Sequence, residues 1–371
     1  MTRKEKRIKK QLEIKEERIK RFNNFDCMLD FENYVLTFFQ CRKRTSWKKS
    51  IQKFQLNLSQ EILNIIEKVK ASKKITMKPV EFVINERGKE RKIRSIPIRE
   101  RIVVKNFCNH VVSPLILPSL IFHNSACVKT KGTYFAKEEL KKHLRKYYMK
   151  NGNKGYVLTL DFSKFFANIN HDIVFEKFKK LITNEKLFNL LKQIVNSSGE
   201  KGVCLGSELS QLIATWFPSE LDHFIKEALK IKFYGRYMDD LYLIHNDKEY
   251  LNYCLKEIKR ICEKLKIIIN DNKTKIHKTE IGFIFLKCNF KIIESGKVIV
   301  RACKKNILRL KRKLKKLKRF LDEKKITYKD IKNTYESWKG HLKSSNCYKV
   351  EKNMQNYYLN LFNLNAYIDI F

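Results

Sequence analysis

Phe233-Tyr234-Gly235-Arg236-Tyr237-Met238-Asp239-Asp240-Leu241-Tyr242-Leu243-Ile244 sets two adjacent carboxylates inside a run of aromatic and aliphatic residues. Such a run predicts a buried strand, or two strands joined by a tight turn. Arg236 is the one basic residue in the run. Burying an unpaired carboxylate is costly, so stability does not account for the pair. Mg²⁺ prefers hard oxygen donors and takes one or two carboxylates together with substrate phosphates. Asp239 and Asp240 at a hairpin tip suit that role; a solvated Asp-Asp turn between two surface strands is the other reading.

Upstream, Tyr156-Val157-Leu158-Thr159-Leu160-Asp161-Phe162-Ser163-Lys164-Phe165-Phe166 repeats the pattern. An apolar strand ends in an acid and is followed at once by a turn and aromatics. If the two strands lie side by side, Asp161, Asp239 and Asp240 converge at one edge. Two-metal phosphoryl transfer needs that arrangement, with one ion on the attacking hydroxyl and the other on the leaving group. Between the two acidic strands, Lys201-Gly202-Val203-Cys204-Leu205-Gly206-Ser207-Glu208-Leu209-Ser210-Gln211 predicts a glycine turn leading into an apolar helix, and Gly206 allows close backbone approach to a ligand.

The 371 residues carry 80 Lys+Arg against 39 Asp+Glu, a net charge of +41, with an ordinary 43% apolar content. A globular protein with that surplus calls for an anionic partner. Nucleic acid comes first and an anionic membrane surface second. No run of 18 apolar residues exists and no apolar segment follows the basic N-terminus, so neither a membrane span nor a signal peptide is expected. The ten cysteines form no Cys-x-x-Cys pair. That pattern argues against zinc and fits reduced thiols in a cytoplasmic protein.

Taken in order, residues 1–21 predict a solvated helix or flexible arm, and 28–68 a helical lead-in. Val80–Ile84 and Lys89–Ile96 predict a β-hairpin whose second arm carries Lys89, Arg91, Lys92 and Arg94, cations suited to closing over a triphosphate. Helices are expected from Arg99 to about residue 117 and over 134–149. A Lys/Arg-dense helix is expected from Arg301 to Asp322, its apolar stripe formed by Ile307, Leu310, Leu314, Leu317 and Leu321. A second helical stretch follows over 326–345.

The blocks and their order resemble the reverse transcriptase family. Tyr237-Met238-Asp239-Asp240 resembles the Tyr-x-Asp-Asp box. Leu160 to Phe166 resembles the first catalytic-acid block, and Gly206 to Ser210 the Gly-x-x-x-Ser block. Lys273-Thr274 and Phe285-Leu286 resemble the Lys-Thr and Phe-Leu-Gly blocks, with Lys287 in place of the final Gly. The resemblance implies an α+β right-hand polymerase fold of fingers, palm and thumb with a helical N-terminal extension. The expected segments are 1–75 (arm and extension), 76–295 (fingers and palm), 296–345 (thumb) and 346–371 (tail).

It also implies RNA-templated DNA synthesis from dNTPs with two Mg²⁺ ions, Mn²⁺ being a possible substitute. Asp161, Asp239 and Asp240 are then the catalytic metal ligands, joined by the Phe162 carbonyl. Phe166 is the steric gate against a 2′-hydroxyl. Lys273 stands near the departing pyrophosphate. Lys89, Arg91, Lys92, Arg94, Leu205, Gly206 and Gln211 contact the dNTP. Tyr237, Met238, Phe285, Leu286, Arg301, Lys304, Lys305 and Lys311 contact template and primer.

Leu205-Gly206-Ser207-Glu208-Leu209-Ser210-Gln211 is most similar to the signature of bacterial diversity-generating retroelement enzymes, and this implies error-prone copying at template adenines. Unclassified or phage-defence (antiviral) reverse transcriptases share those residues, and a template-independent transferase or a non-catalytic RNA-binding scaffold are the rival classes. Val300-Arg301-Ala302 stands where retron enzymes carry Val-Thr-Gly. With no endonuclease or RNase H segment expected, the implied partners are a dedicated template RNA, its primer or cDNA, and an accessory protein.

Overall fold

A computed structural model describes residues 2–75, 80–86, 89–342 and 345–363, and at positions 3, 4, 86, 89, 91 and 92 the backbone alone. The chain folds into two units, each built from three separate segments. One comprises residues 1–128, 162–224 and 257–269, the other 129–161, 225–256 and 270–371.

In the first unit, Thr2 and Glu5 form a reciprocal capping box that starts the helix Arg3–Phe22. Ile8, Leu12 and Ile14 stay exposed on this helix, as its mixed-charge sequence predicts. Asn23 ties the helix end to the body, donating to the Leu181 carbonyl at 2.7 Å and accepting from the Thr183 N–H at 2.7 Å. The helices Phe31–Arg42, Lys49–Leu56 and Leu58–Lys70 bury Tyr34, Phe38, Ile51, Phe54, Ile62 and Ile65. The Thr37 hydroxyl donates to Asn106 of the helix Ile98–Phe107 at 3.4 Å, and Glu61 pairs with Arg99. The expected cut at residue 75 therefore falls inside one unit.

Val80–Glu86 (β1) and Lys89–Ser95 (β2) pair antiparallel from Val80 opposite Ser95 to Glu86 opposite Lys89. This is the hairpin that the alternation of residues 80–96 predicts.

The second unit holds Tyr156–Asp161 (β3), Phe233–Tyr237 (β4), Asp240–His245 (β5) and Lys275–Lys278 (β6), in the sheet order β4-β5-β3-β6 with every pairing antiparallel. β3 and β5 are the central strands, which explains their near-continuous apolar sequences. The helix Thr133–Asn151 seals one face: Leu140, Leu144 and Tyr147 share a core with Tyr242, Ile244, Phe283 and Phe290. Each such side chain contributes about 1.5–3 kcal/mol by leaving water.

Phe283–Phe285 (β7), Cys288–Ile292 (β8) and Val298–Ala302 (β9) form a second, three-stranded sheet. Arg301 thus lies on a strand, not on the expected helix, which begins at Lys304. The cause is Val298-Ile299-Val300, a β-branched run that pairs with β8 and buries Val298 and Val300. The thumb boundary expected at 296 consequently falls inside the β8–β9 hairpin.

The helices Lys304–Asp322, Tyr328–Leu342 and Tyr348–Leu361 pack around Leu310, Leu314, Ile331, Tyr335, Met354 and Tyr358. Ile307, Leu317 and Leu321 pack against the same core, so the predicted apolar stripe is the buried face. The expected tail from 346 supplies the third helix of this bundle, because Met354, Tyr358 and Phe362 present their own apolar face to it. Residues 364–371, with Tyr367, lie outside the described residues.

Gly235 on β4 faces Tyr242 on β5. A Cβ added there would meet the Tyr242 hydroxyl at 2.6 Å and its ring at 2.8 Å. That hydroxyl is hydrogen-bonded to His143 Nδ1 at 2.9 Å, so it cannot easily give way. Gly235→Ala is expected to destabilise the protein by about 1–3 kcal/mol, read as a lowered melting temperature; an unchanged melting temperature would contradict this packing.

Candidate active site

The site is built by register. Asp161 closes β3 and Asp240 opens β5, and the two are direct cross-strand partners. Residues opposite each other in an antiparallel pair present their side chains on the same face, and like charges placed so are destabilising. Asp239 stands beside them in the two-residue turn between Tyr237 and Asp240. Met238, the other turn residue, has φ 55°, a left-handed conformation that favours glycine and costs a residue with a Cβ about 1–2 kcal/mol. Arg236 is 1% exposed on β4, and its Nη1 donates to the Met238 carbonyl at 3.1 Å. The basic residue of the quoted run thus braces the turn that displays the acids.

Asp161 is 6% exposed. Both its oxygens accept from Lys273 Nζ, at 2.7 and 2.8 Å, and Oδ1 also accepts from Asn270 Nδ2 at 3.1 Å. The Asn270 N–H donates to the Asp161 carbonyl at 2.8 Å, so the turn leading into β6 is fastened to the end of β3 by backbone and side chain alike. Burial opposes the charge on Lys273, and the hydrogen bond and charge of Asp161 outweigh it, so its ammonium is held above its ordinary value. Burial, followed by the charges of Asp239 and Asp161, pushes the Asp240 carboxyl up to about 7, against the pull of Lys273 and Lys287. Sequence reasoning missed Asn270 and the effect of Lys287. Asn270 sits in a polar loop with no distinguishing pattern.

The donor chemistry fits a divalent cation. Three carboxylates stand at one end of the central strands, one is held toward its neutral form by burial and by the other two, and an ammonium already occupies Asp161. Asp161, Asp239 and Asp240 would hold such an ion. Among the described residues no three His, Cys, Asp or Glu side chains are drawn together at metal-holding spacing; Asp161 is engaged by Lys273 instead.

The other expected residues fall in several places. Phe162 buries its ring and bridges to Ile269 through its backbone. In the first unit, the Phe166 carbonyl accepts from the Val203 N–H at 2.8 Å, which brings the aromatic block to the segment leading into half-buried Leu205. Gly206 has φ 109°, and a Cβ there would lie 3.6 Å from the Arg94 carbonyl. Gln211 is exposed and accepts from the Cys127 thiol at 3.6 Å.

Arg94, expected to clamp phosphates, is taken up by Glu81 at 2.7 Å, the Ser197 carbonyl at 2.6 Å and Cys204 Sγ at 3.6 Å. Its position opposite Glu81 in the hairpin makes it a brace. The side chains of Lys89, Arg91 and Lys92 lie outside the described residues. Phe285, expected to contact nucleic acid, is instead a core residue, 3% exposed and edge-on to Tyr242 at 5.0 Å, because β7 turns it inward. Tyr237, Met238 and Leu286 are half-buried at or beside hairpin turns, Arg301, Lys304 and Lys305 are exposed, and Lys311 lies over the Tyr357 ring at 4.9 Å.

Residues 86–288 match the family described as Reverse transcriptase (RNA-dependent DNA polymerase). No curated protein matches the chain. Among solved structures, similarity extends to telomerase from Candida albicans in complex with a fragment of telomeric RNA, at 13% identity over 76% of this chain and 58% of that one, TM-score 0.48. It extends also to apo telomerase from Candida tropicalis truncated from its C-terminal domain, at 15% identity over 59% and 54%, TM-score 0.45. A further apo telomerase structure from the same organism matches at 15% identity over 61% and 49%, TM-score 0.44. The chain therefore spans about half the length of these telomerase chains.

Asp240 titrates near 7 when folded and near about 3.9 in an unfolded chain, so the folded state binds the proton more tightly. Its contribution to stability is full below about pH 4 and is lost as pH rises through about 7. The melting temperature of the metal-free protein should fall between about pH 4 and about pH 7, and Asp240→Asn should flatten that slope. Parallel slopes would contradict the electrostatic account.

Proposed function

The chain belongs to the reverse transcriptase family, and on that premise we propose that it copies a dedicated RNA template into cDNA by two-metal nucleotidyl transfer. The family membership supports an RNA-directed DNA polymerase activity. The observation that carries the mechanistic reading is the cross-strand pairing of Asp161 with Asp240, with Asp239 in the adjoining turn. No structural need explains three acids on an apolar sheet edge.

Divalent cations held there, Mg²⁺ first and Mn²⁺ as a substitute, would supply Lewis-acid activation of the primer hydroxyl and neutralise charge on the leaving pyrophosphate. The chain's own residues do the remainder. Asn270 orients the Asp161 carboxylate. Arg236 holds the turn that carries Asp239. Lys273 supplies a cation for pyrophosphate, and Phe166 excludes ribonucleotides through its bulk. Lys304, Lys305 and Arg301 meet the phosphate backbone of template and primer, as the net charge of +41 favours.

The branch reading rests on Leu205 and Gln211. An aliphatic side chain at position 205 forms no hydrogen bond to an incoming base. Copying in the manner of a diversity-generating retroelement, error-prone opposite adenine and with an accessory protein in attendance, follows from that proposal. Among the described residues no helix is long and apolar enough to cross a membrane.

Primer extension on poly(rA) with oligo(dT) should incorporate dTTP only when template is present; equal incorporation without template would favour a terminal transferase. Asp239→Ala should reduce incorporation to the blank without lowering the melting temperature, since it removes a like charge beside Asp240, and full activity in that variant would sink the assignment of the acids. Leu205→Gln should lower misincorporation opposite template adenine. Sequenced products with the wild-type error spectrum would remove the branch from the proposal.

A further inference from the structure

We infer that Lys273 is an internal counter-cation of Asp161 that a divalent ion must displace, so that metal binding and release of this ammonium are one event. The inference rests on the reading of Asp161 as a metal ligand.

The geometry is exclusive. Nζ lies 2.7 Å from Oδ1 and 2.8 Å from Oδ2, so it straddles both oxygens, and Asn270 Nδ2 takes a further position on Oδ1 at 3.1 Å. A cation approaching these oxygens meets an ammonium of like charge at contact distance, seated across both oxygens where a chelated ion would sit, so the two compete for the carboxylate. The parts of this arrangement differ in mobility. The Asn270 carbonyl accepts from the N–H groups of Lys273 at 3.1 Å and Thr274 at 3.0 Å and from the Thr274 hydroxyl at 2.9 Å. With Asn270 also bonded to the backbone of Asp161, the turn is fixed. The Lys273 side chain, by contrast, is 54% exposed while that of Asp161 is 8% exposed. The lysine can swing into solvent without breaking any of the turn's own hydrogen bonds; the aspartate cannot follow.

Two consequences distinguish this arrangement from an ordinary ion pair. In the metal-free chain Lys273 offsets part of the repulsion among the three acids, which keeps the sheet edge intact without an ion. On metal binding, the same ammonium is freed a few bonds from the site, where the phosphates of an incoming substrate arrive. A cation is thereby delivered only when the metal is present, so a nucleotide meets the complete set of positive charges or an incomplete one according to metal occupancy.

The test is Mn²⁺ binding by calorimetry to the full chain without substrate, comparing wild type, Lys273→Met and Asp161→Asn. Lys273→Met should bind Mn²⁺ about threefold to fivefold more tightly, the range expected for release from a partly exposed pair. In the wild type, acylation of Lys273 by an N-hydroxysulfosuccinimide ester, mapped by mass spectrometry, should rise when Mn²⁺ is added. Unchanged or weaker Mn²⁺ binding in Lys273→Met, or Lys273 acylation indifferent to Mn²⁺, overturns the inference. Asp161→Asn separates the two readings. If it weakens Mn²⁺ binding while Lys273→Met changes nothing, the displacement fails and the metal site stands. If it leaves Mn²⁺ binding intact, both fall.

Discussion

Two carboxylates face each other across the central strands of a sheet, Asp161 on β3 and Asp240 on β5, with a third beside them in the turn. Their mutual repulsion is the constraint that the surroundings answer. Left alone, such a pair would open the sheet at its end. The protein answers with an apolar foundation and with charge. Directly below the acids, Leu160 pairs with Leu241 and Leu158 with Leu243, and all four are buried. Core burial of this kind contributes several times the free energy that one like-charge pair costs, which is why the sheet can carry an unfavourable edge at all.

Charge compensation comes from different distances. Lys273 is in contact with Asp161, Lys287 acts on Asp240 through space, and Arg236 works indirectly by fixing the Met238 carbonyl. Each of the three lies on a turn or at a strand end in the same unit as the acids. The cluster of acids is therefore assembled with no ion bound, its repulsion offset by a lysine seated on one of them.

How much of this was legible in the sequence follows the range of the interactions. The two acidic strands and the hairpin at 80–95 announce themselves through local alternation and apolar runs, and the family blocks give the order of the acids. The register that sets Asp161 opposite Asp240, and not one residue away, was not legible, because both strands are apolar on both faces and alternation alone does not fix their pairing. Arg94 is assigned to the triphosphate from its place among the hairpin's cations, whereas its pairing with Glu81 depends on the cross-strand register, which that grouping does not reveal. Arg301 looked helical because lysines follow it closely, while the β-branched residues before it decide its conformation. Nor could Asn270 be found: its role consists entirely of bonds to a residue far away in sequence. The discontinuous units are the same problem at larger scale.

The turns show what the sequence rules do when function competes with them. Met238 has φ 55°, and Leu286 and Lys287 have φ 45° and 66° in the two-residue connection from β7 to β8. Tight turns of this kind normally place Gly, Asn or Asp at such angles, since a Cβ there is strained. Met238 directly precedes Asp239 and Asp240, and its carbonyl is held by Arg236. Lys287 stands where the family block ends in Gly, and its carbonyl accepts from Asn306 at 3.2 Å. Glycine at 287 would relieve the backbone but would remove one of the two lysines that pull the Asp240 carboxyl toward its charged form. In this chain the strain of a left-handed lysine is therefore coupled to the electrostatics of the acids: a departure from the family pattern that is unfavourable for the turn adds to Lys273 a second charge favouring an ionised Asp240.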